Sequence, residues 1–438
     1  MFHRKVLSGV YIAGLAHAYP QYSLEQDEFQ KMIETLYPRQ QDFPGLQKLI
    51  QFNKRTQIQA RSTIIDHSKW TEADAAPPRV SELSSIFRTD GVHLAAEACI
   101  KAMAEAHAEP LDITHVVAVT CTDQGNPGYD LLVCQVLQLP PNVERTLLHG
   151  VGCAGGLSAL RAAANIAAAE SQRGRPASIL VVACELCSLF LRGELQAASQ
   201  DEGLRIAPAL FSDAAAALVV CNELALKQDA SPTYQLQEWG SRLIPKTKEY
   251  MSYEMKSNGM IAVITKEVTK SSVSSILPMF NHLSSSPRPS SKRNKHQQSK
   301  TCDPRELDWA VHPGGAAILN GAQQALQLDD DHIRASRDIY CSYGNSSSVT
   351  VLIVLDRLRQ MGRGRDGVVA TSFGPGMVIE MCLMKRWRED KAVKPVQRVV
   401  NYGKWMLAMA RTVACFRWST SVRDRTEVRK SEAGKIGG

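Results

Sequence analysis

A chain of 438 residues, 44% hydrophobic and 22% charged, has ample apolar material for a large buried core and the composition of an ordinary globular protein. Its net charge of +7 belongs to two stretches: residues 284–300 carry five basic residues and no acid, and residues 385–438 carry 14 basic against 5 acidic. The rest has 32 basic against 39 acidic residues, which argues against a core that binds nucleic acid. Eleven cysteines without regular spacing fit a reducing compartment, so a cytoplasmic protein is expected.

At the N-terminus, His3-Arg4-Lys5 followed by VLSGVYIAGLAHA imitates a secretory leader. The apolar part holds two glycines and is short, so the reading taken is a first strand ended by Pro20. No run approaches the roughly 18–20 apolar residues of a membrane span. Further along, helical patterns cover 24–36, 92–107, 130–138, 154–170, 314–327 and 346–360. Strand-like runs cover 114–121, 178–184, 215–221, 308–312, 350–355, 367–372 and 377–384, the run 350–355 competing with the last helix. Strands apolar throughout and separated by helices predict a layered α/β fold with buried sheets.

The run VGCAGG, 151–156, places Cys153 between a strand ending at Thr146-Leu147-Leu148 and an Ala-rich helix. A thiol at a helix N-terminus meets unpaired N–H groups and the positive end of the dipole, which favours the thiolate. His312 closes the strand DWAVH before Pro313-Gly314-Gly315, and Asn345 lies in SYGNSSS ahead of an apolar helix. Alone, Cys153 reads equally as a buried core thiol and Asn345 as a helix cap. Together, a cysteine, a histidine and an asparagine, each expected after a strand and each framed by glycine, form a more specific set. Two other motifs carry less. Cys184 and Cys187 have CxxC spacing but no partner pair, and GRGRDG, 362–367, lacks the GKS/T ending of a phosphate loop.

The chain also echoes itself. Strand, reactive residue, glycines and helix occur at 146–170 and again at 308–327, so two similar halves would bring both reactive residues to one seam. Their boundary is expected near 222–236. Residues 284–300 read as a polar surface insertion. In the basic tail 389–438, KWMLAMARTVACFRW has the composition of an amphipathic helix at a membrane surface; a packing arm or a disordered tail fits as well, and no membrane association is expected.

The ordered motifs GCAGG, ALFSDAAAAL, AVHPGG, YGNSSS and SFGPG resemble those of type III polyketide synthases, the chalcone-synthase-like branch of the thiolase superfamily, over about residues 8–386. SFGPG, 372–376, departs from that family's GFGPG at Ser372. Insertion and tail are similar to fungal rather than plant members. The resemblance implies a thiolase-like five-layered αβαβα fold built from halves 1–225 and 226–388, with 389–438 as an appendage. It implies that Cys153 takes an acyl group from a CoA thioester while an imidazolium on His312 stabilises its thiolate. His312 and Asn345 would then hold the enolate oxygen as malonyl-CoA loses CO₂. Phe211 matches the family's gatekeeping phenylalanine. Phe190, Cys121, Tyr253, Ala262, Ser347, Phe373, Gly374 and Pro375 match cavity positions, with Ala262 opening space where plant relatives carry phenylalanine. In LQKLIQFNKRTQIQAR, Lys48 and Arg55 match CoA-binding positions, a third is Gln51, and Lys54 would substitute; Gly314 and Gly315 also match the CoA path.

The same resemblance implies a homodimer in which the QGNPG loop, with a cis Asn126–Pro127 bond, brings Asn126 near the partner's cavity. No metal or redox cofactor is implied. The expected substrates are malonyl-CoA and a medium- or long-chain fatty acyl-CoA, the expected products alkylpyrones, alkylresorcinols or alkylresorcylic acids. Three competing readings remain at this point. An initiating ketoacyl-ACP synthase shares the Cys/His/Asn set, a thiolase would need a second catalytic cysteine such as Cys382, and a binding protein could keep the fold without the activity.

Overall fold

The computed structural model describes residues 9–227, 231–256, 259–285 and 302–387; the expected insertion beyond Ser285 and the tail 389–438 lie outside them. In chain order the strands are β1 (Val10–Ala18), β2 (Tyr22–Glu25), β3 (Ala60–Thr63), β4 (His115–Val119), β5 (Glu144–Leu148), β6 (Ser178–Leu186), β7 (Asp213–Asn222), β8 (Tyr234–Leu243), β9 (Met251–Lys256), β10 (Gly259–Ile264), β11 (Leu307–Val311), β12 (Gly367–Gly374) and β13 (Val378–Arg386). The helices that place the site are α1 (Pro44–Asn53), α2 (Val92–Glu105), α3 (Gly155–Gln172), α4 (Leu191–Gln200), α5 (Glu267–Ser284), α6 (Ala316–Leu326) and α7 (Thr350–Gln360).

Runs that read as apolar throughout are buried throughout. Every residue of β6 and β7 is buried, and the two pair antiparallel from Ser178↔Cys221 to Leu186↔Asp213. A strand covered on both faces has no solvent side, so its sequence does not alternate. β1, β7, β6, β4 and β5 form the first half of the sheet, and β8, β13, β12 and β11 the second. The halves join where Val10–Ile12 of β1 pair with Leu236–Tyr234 of β8, giving one nine-stranded sheet in the order β11-β12-β13-β8-β1-β7-β6-β4-β5.

Helix α3 packs on β4, β6 and β7 of one half and on β12 and β13 of the other, while α7 packs on β1, β11, β12 and α3. Outside this central pair, α2 covers β1, β6 and β7, and α5 covers β8 and β13 with α6 against it. The result is the expected five layers, helices–sheet–helices–sheet–helices. It also repeats one unit: β5 leads through a turn into α3, and β11 leads through a turn into α6.

Two expectations change. Residues 350–355 are helix, not strand, because α7 lies between the two halves of the sheet with Thr350–Asp356 all buried. A helix buried on every side loses the apolar–polar period that distinguishes it from a strand. The expected helix 24–36 divides into β2 and a helix at Glu28–Leu36. β8, β9 and β10 carry mixed patterns and were not legible as strands. Among the described residues, no helix is long and apolar enough to cross a membrane.

Candidate active site

Cys153 sits in a tight turn, Gly152–Ala154, between β5 and α3. Gly152 has φ +46°, and a β-carbon there would lie 2.6 Å from Cδ of Pro375. A β-carbon on Gly374 would collide with the Val151 carbonyl oxygen. Bare glycine backbone on both sides thus lets the SFGPG loop close directly on the cysteine turn.

His312 follows β11 and is fixed by its backbone N–H, which donates to the Thr371 carbonyl at 2.8 Å. Its ring is buried, 1% exposed, yet neither Nδ1 nor Nε2 has a hydrogen-bond partner among the described residues. Asn345 arrives from the other direction. Its N–H donates to the Leu210 carbonyl and its carbonyl accepts from the Ser212 N–H, both at 2.9 Å, which ties it to Phe211. Its side-chain Oδ1 accepts from the Ser347 N–H at 2.8 Å and the Thr350 hydroxyl at 3.2 Å. With the acceptor end occupied by two donors, the Nδ2–H₂ end is the one left to donate.

Cys153, His312 and Asn345 line one cavity of about 540 Å³. Its walls are mostly apolar, including Leu204, Ile206, Met251, Ile264, Val268 and Phe373. Concavity, apolar walls and a few convergent polar groups are what a small-molecule site needs. An unpartnered buried imidazole costs stability in a resting protein and is explained by a ligand that supplies its hydrogen bond.

Burial sets the resting charges. It pushes the Cys153 thiol up to about 11 and the His312 imidazole down to about 3. Hydrogen bonds from Ser347 and Asn345 favour the thiolate, and nearby Glu185 opposes it. This corrects the expectation that the turn lowers the pKa of the Cys153 thiol. Removing a charge from water outweighs the helix-terminus effect, so sulfur and ring are both neutral when the cavity is empty. Moving the thiol proton onto the imidazole creates both charges together, which is the less costly way to reach the nucleophile.

Behind the sulfur, Ser347 Oγ lies 3.6 Å from Cys153 Sγ and 3.7 Å from Cys121 Sγ. The fully buried Glu185 carboxyl accepts from Cys121 N–H, Thr120, Thr122 and Ser348, and burial raises its pKa. The sequence reading passed over Glu185, whose one signal was a charge at the end of the apolar run SILVVAC.

The sequence matches the N-terminal domain of chalcone and stilbene synthases over residues 10–223 and their C-terminal domain over residues 235–387. It is 45% identical over 391 residues to the type III polyketide synthase pspB of Penicillium soppii, spanning 87% of this chain and 98% of that one. The chain belongs to the chalcone and stilbene synthase family. It is a condensing acyltransferase of the type III polyketide synthase class. It is also 33% identical over 384 residues to the acylalkylpyrone synthase csyB of Aspergillus oryzae, across 86% of this chain and 94% of that one. A crystal structure of the fungal type III polyketide synthase ORAS, 39% identical, superposes with a TM-score of 0.81 over 86% of this chain and all of that one. CsyB complexed with CoA-SH superposes equally well, with a TM-score of 0.81 over the same shares and 33% identity.

In the synthase, Phe211, Tyr253, Phe373 and Pro375 line the same cavity, as do Gly314 and Gly315 at the start of α6. Cys121, Ser347 and Gly374 do not; they lie behind the sulfur and its turn. Phe190 lines a second, smaller cavity with Phe211 and Tyr253. Ala262 itself lines neither cavity; it pairs across the β9–β10 hairpin with Tyr253, which lines both. The basic stretch also separates. Arg55 reaches the cavity mouth, whereas Lys48 donates to the Glu202 carbonyl at 2.5 Å and Lys54 borders a surface groove with Gln26 and Asp27. An exposed Lys266, at the start of α5, joins Arg55 at the mouth. Nothing in AVITKEV announces this, since only folding brings α5 beside the end of α1. The Asn126–Pro127 bond is cis. Cys184 is buried in β6 and Cys382 in β13, neither on a cavity wall. Among the described residues, no group of three His, Cys, Asp or Glu side chains is placed to hold a metal ion.

Proposed function

We propose that the synthase loads a medium- or long-chain fatty acyl group from its CoA thioester onto Cys153 and extends it with malonyl-CoA. One observation carries this reading: sulfur, partnerless imidazole and a carboxamide with its acceptor end occupied converge on one apolar cavity. Cys153 Sγ attacks the acyl carbonyl after passing its proton to His312, and CoA leaves as the thiol. Malonyl-CoA then binds, its carboxylate leaves as CO₂, and the electron pair moves onto the thioester oxygen. His312 Nε2–H and Asn345 Nδ2–H donate to that oxygen as its charge grows. The enolate carbon attacks the acyl-Cys153 carbonyl, which releases the sulfur and lengthens the chain by two carbons. Each bond made or broken is covered by these groups, so the cycle needs no metal or redox cofactor.

Apolar walls favour an alkyl starter, and csyB is named for an acylalkylpyrone product. The product class follows as an alkylpyrone, alkylresorcinol or alkylresorcylic acid. Incubation with a ladder of acyl-CoAs from C2 to C18 and labelled malonyl-CoA is expected to give best turnover at C8 or longer. Turnover confined to acetyl or aromatic starters would overturn the starter assignment. A homodimer that brings Asn126 toward the partner's cavity belongs to the same reading.

Arg55 and Lys266 are assigned to the CoA phosphates. Exposed charge-assisted contacts are worth about 1 kcal/mol or less each, so replacing both by alanine should raise KM for acyl-CoA roughly tenfold and leave kcat nearly unchanged. The wild-type KM should rise with salt and the double variant's should not. A salt dependence equal in the two proteins would remove these residues from the phosphate path.

A further inference from the structure

Behind the wall made by Phe211 and Tyr253 lies a second cavity of about 40 Å³. Both rings line it and the main cavity alike. It holds room for two or three waters, which suits a single carbonyl group entering between the two rings but not the length of an alkyl tail. Two unused polar groups face it. Glu194, on α4, is 5% exposed; its Oε1 accepts from the Ala262 N–H at 2.5 Å, and its Oε2 is buried with no hydrogen-bond partner among the described residues. His67 lines the same space with both ring nitrogens buried and partnerless, its ring edge-on to Trp70 at 4.4 Å.

We propose that Glu194 and His67 form a polar terminus for the reaction cavity, which receives a keto oxygen of the growing poly-β-keto chain and so sets how many extensions precede release. The inference rests on the condensing role assigned to Cys153. An alkyl tail gains nothing from such a site, because a carboxyl and an imidazole left unpaired against methylenes stay unsatisfied. A β-keto chain has an acceptor oxygen at every second carbon. A protonated carboxyl, or the N–H of a neutral imidazole, is the donor such an oxygen needs. Burial pushes the Glu194 carboxyl up to about 7 against the Ala262 N–H hydrogen bond and the pull of Arg205, and brings His67 down to about 4, neutral at physiological pH.

Asp66 and Arg192 act on His67 in opposite directions, and Arg192 is held over the Trp70 ring and beside Asp74. Arg61 lines the cavity but is bound to the Ala209 carbonyl, Asn53 and Gln26. Tyr253 and Cys187 are raised by burial and stay neutral. Asp213, beneath Ser188, is pushed up to about 6, near enough to require a control.

That control is Glu194→Gln. Glutamine keeps an acceptor for the Ala262 N–H and offers a donor at every pH. The measurement is product distribution from one acyl-CoA starter and labelled malonyl-CoA between pH 6 and pH 8. Across that range the protonated fraction of a group at about 7 falls roughly tenfold. The wild-type ratio of longest to shortest product should fall by up to about that factor. Glu194→Gln should hold the long-product ratio flat with pH. Glu194→Met should give mainly the shortest product, with malonyl-CoA decarboxylation unchanged. Identical distributions and pH responses in all three proteins would overturn the proposal while leaving condensation at Cys153 intact. A wild-type enzyme that decarboxylates but never extends would sink the condensing role and this inference with it.

Discussion

Cys153→Ala is expected to lower chain extension by more than about 10⁴-fold while leaving malonyl-CoA decarboxylation within about tenfold of wild type. Extension needs a covalent acyl-sulfur bond, and alanine cannot form one. Decarboxylation needs only donors aimed at the thioester oxygen, and those belong to His312 and Asn345. The variant should also fold normally, because removing one sulfur at 6% exposure leaves the Gly152, Gly374 and Pro375 contacts of the turn in place. Parallel assays of CO₂ release and of extended product would check this. Loss of both to the same degree would mean that sulfur takes part in decarboxylation and that the two tasks are not divided as assigned.

His312→Ala should impair both steps. Removing one preorganised donor from a growing oxyanion costs about 10²- to 10³-fold, and loading loses its proton acceptor as well. Asn345→Leu should show the first loss without the second. A further readout separates the roles. Burial, only partly offset by the Ser347 and Asn345 hydrogen bonds, pushes the Cys153 thiol up to about 11. In His312→Ala, alkylation of Cys153 by iodoacetamide should therefore rise about tenfold per pH unit from neutrality toward that value. In the wild type the imidazole, neutral above about 3, is free to take the proton as the sulfur attacks. Its alkylation rate should be faster at pH 7 and flatter with pH. Equal rates and slopes in the two proteins would show that His312 does not activate the sulfur.

The layered architecture was legible because burial leaves a direct mark on composition. β6 and β7 read as apolar without alternation, and the structure buries every residue of both. Cys153, His312 and Asn345 stood out as polar or reactive residues framed by glycine, and at Gly152 and Gly344 the missing β-carbon is what lets the backbone close up. The same logic misled where burial erases the difference between elements: the run TVLIVL is a helix, since a helix between two sheets needs no polar face.

Side-chain identity alone could not distribute the pocket. Ala262 suggested open space, but only the pairing of β9 with β10 sets Tyr253 directly opposite it. Lys48, Lys54 and Arg55 looked alike in one basic stretch, and the helix turn sends only Arg55 to the mouth, where Lys266 arrives from 211 positions later in the chain. By itself the sequence determined the chemistry available and the elements that carry it, because residue type and periodicity are local properties. Tertiary structure alone decided the charge state of the sulfur and the imidazole, which groups touch, and where the cavity ends. Desolvation and contact depend on every neighbour packed around a group, and those neighbours come from segments that the chain order keeps far apart.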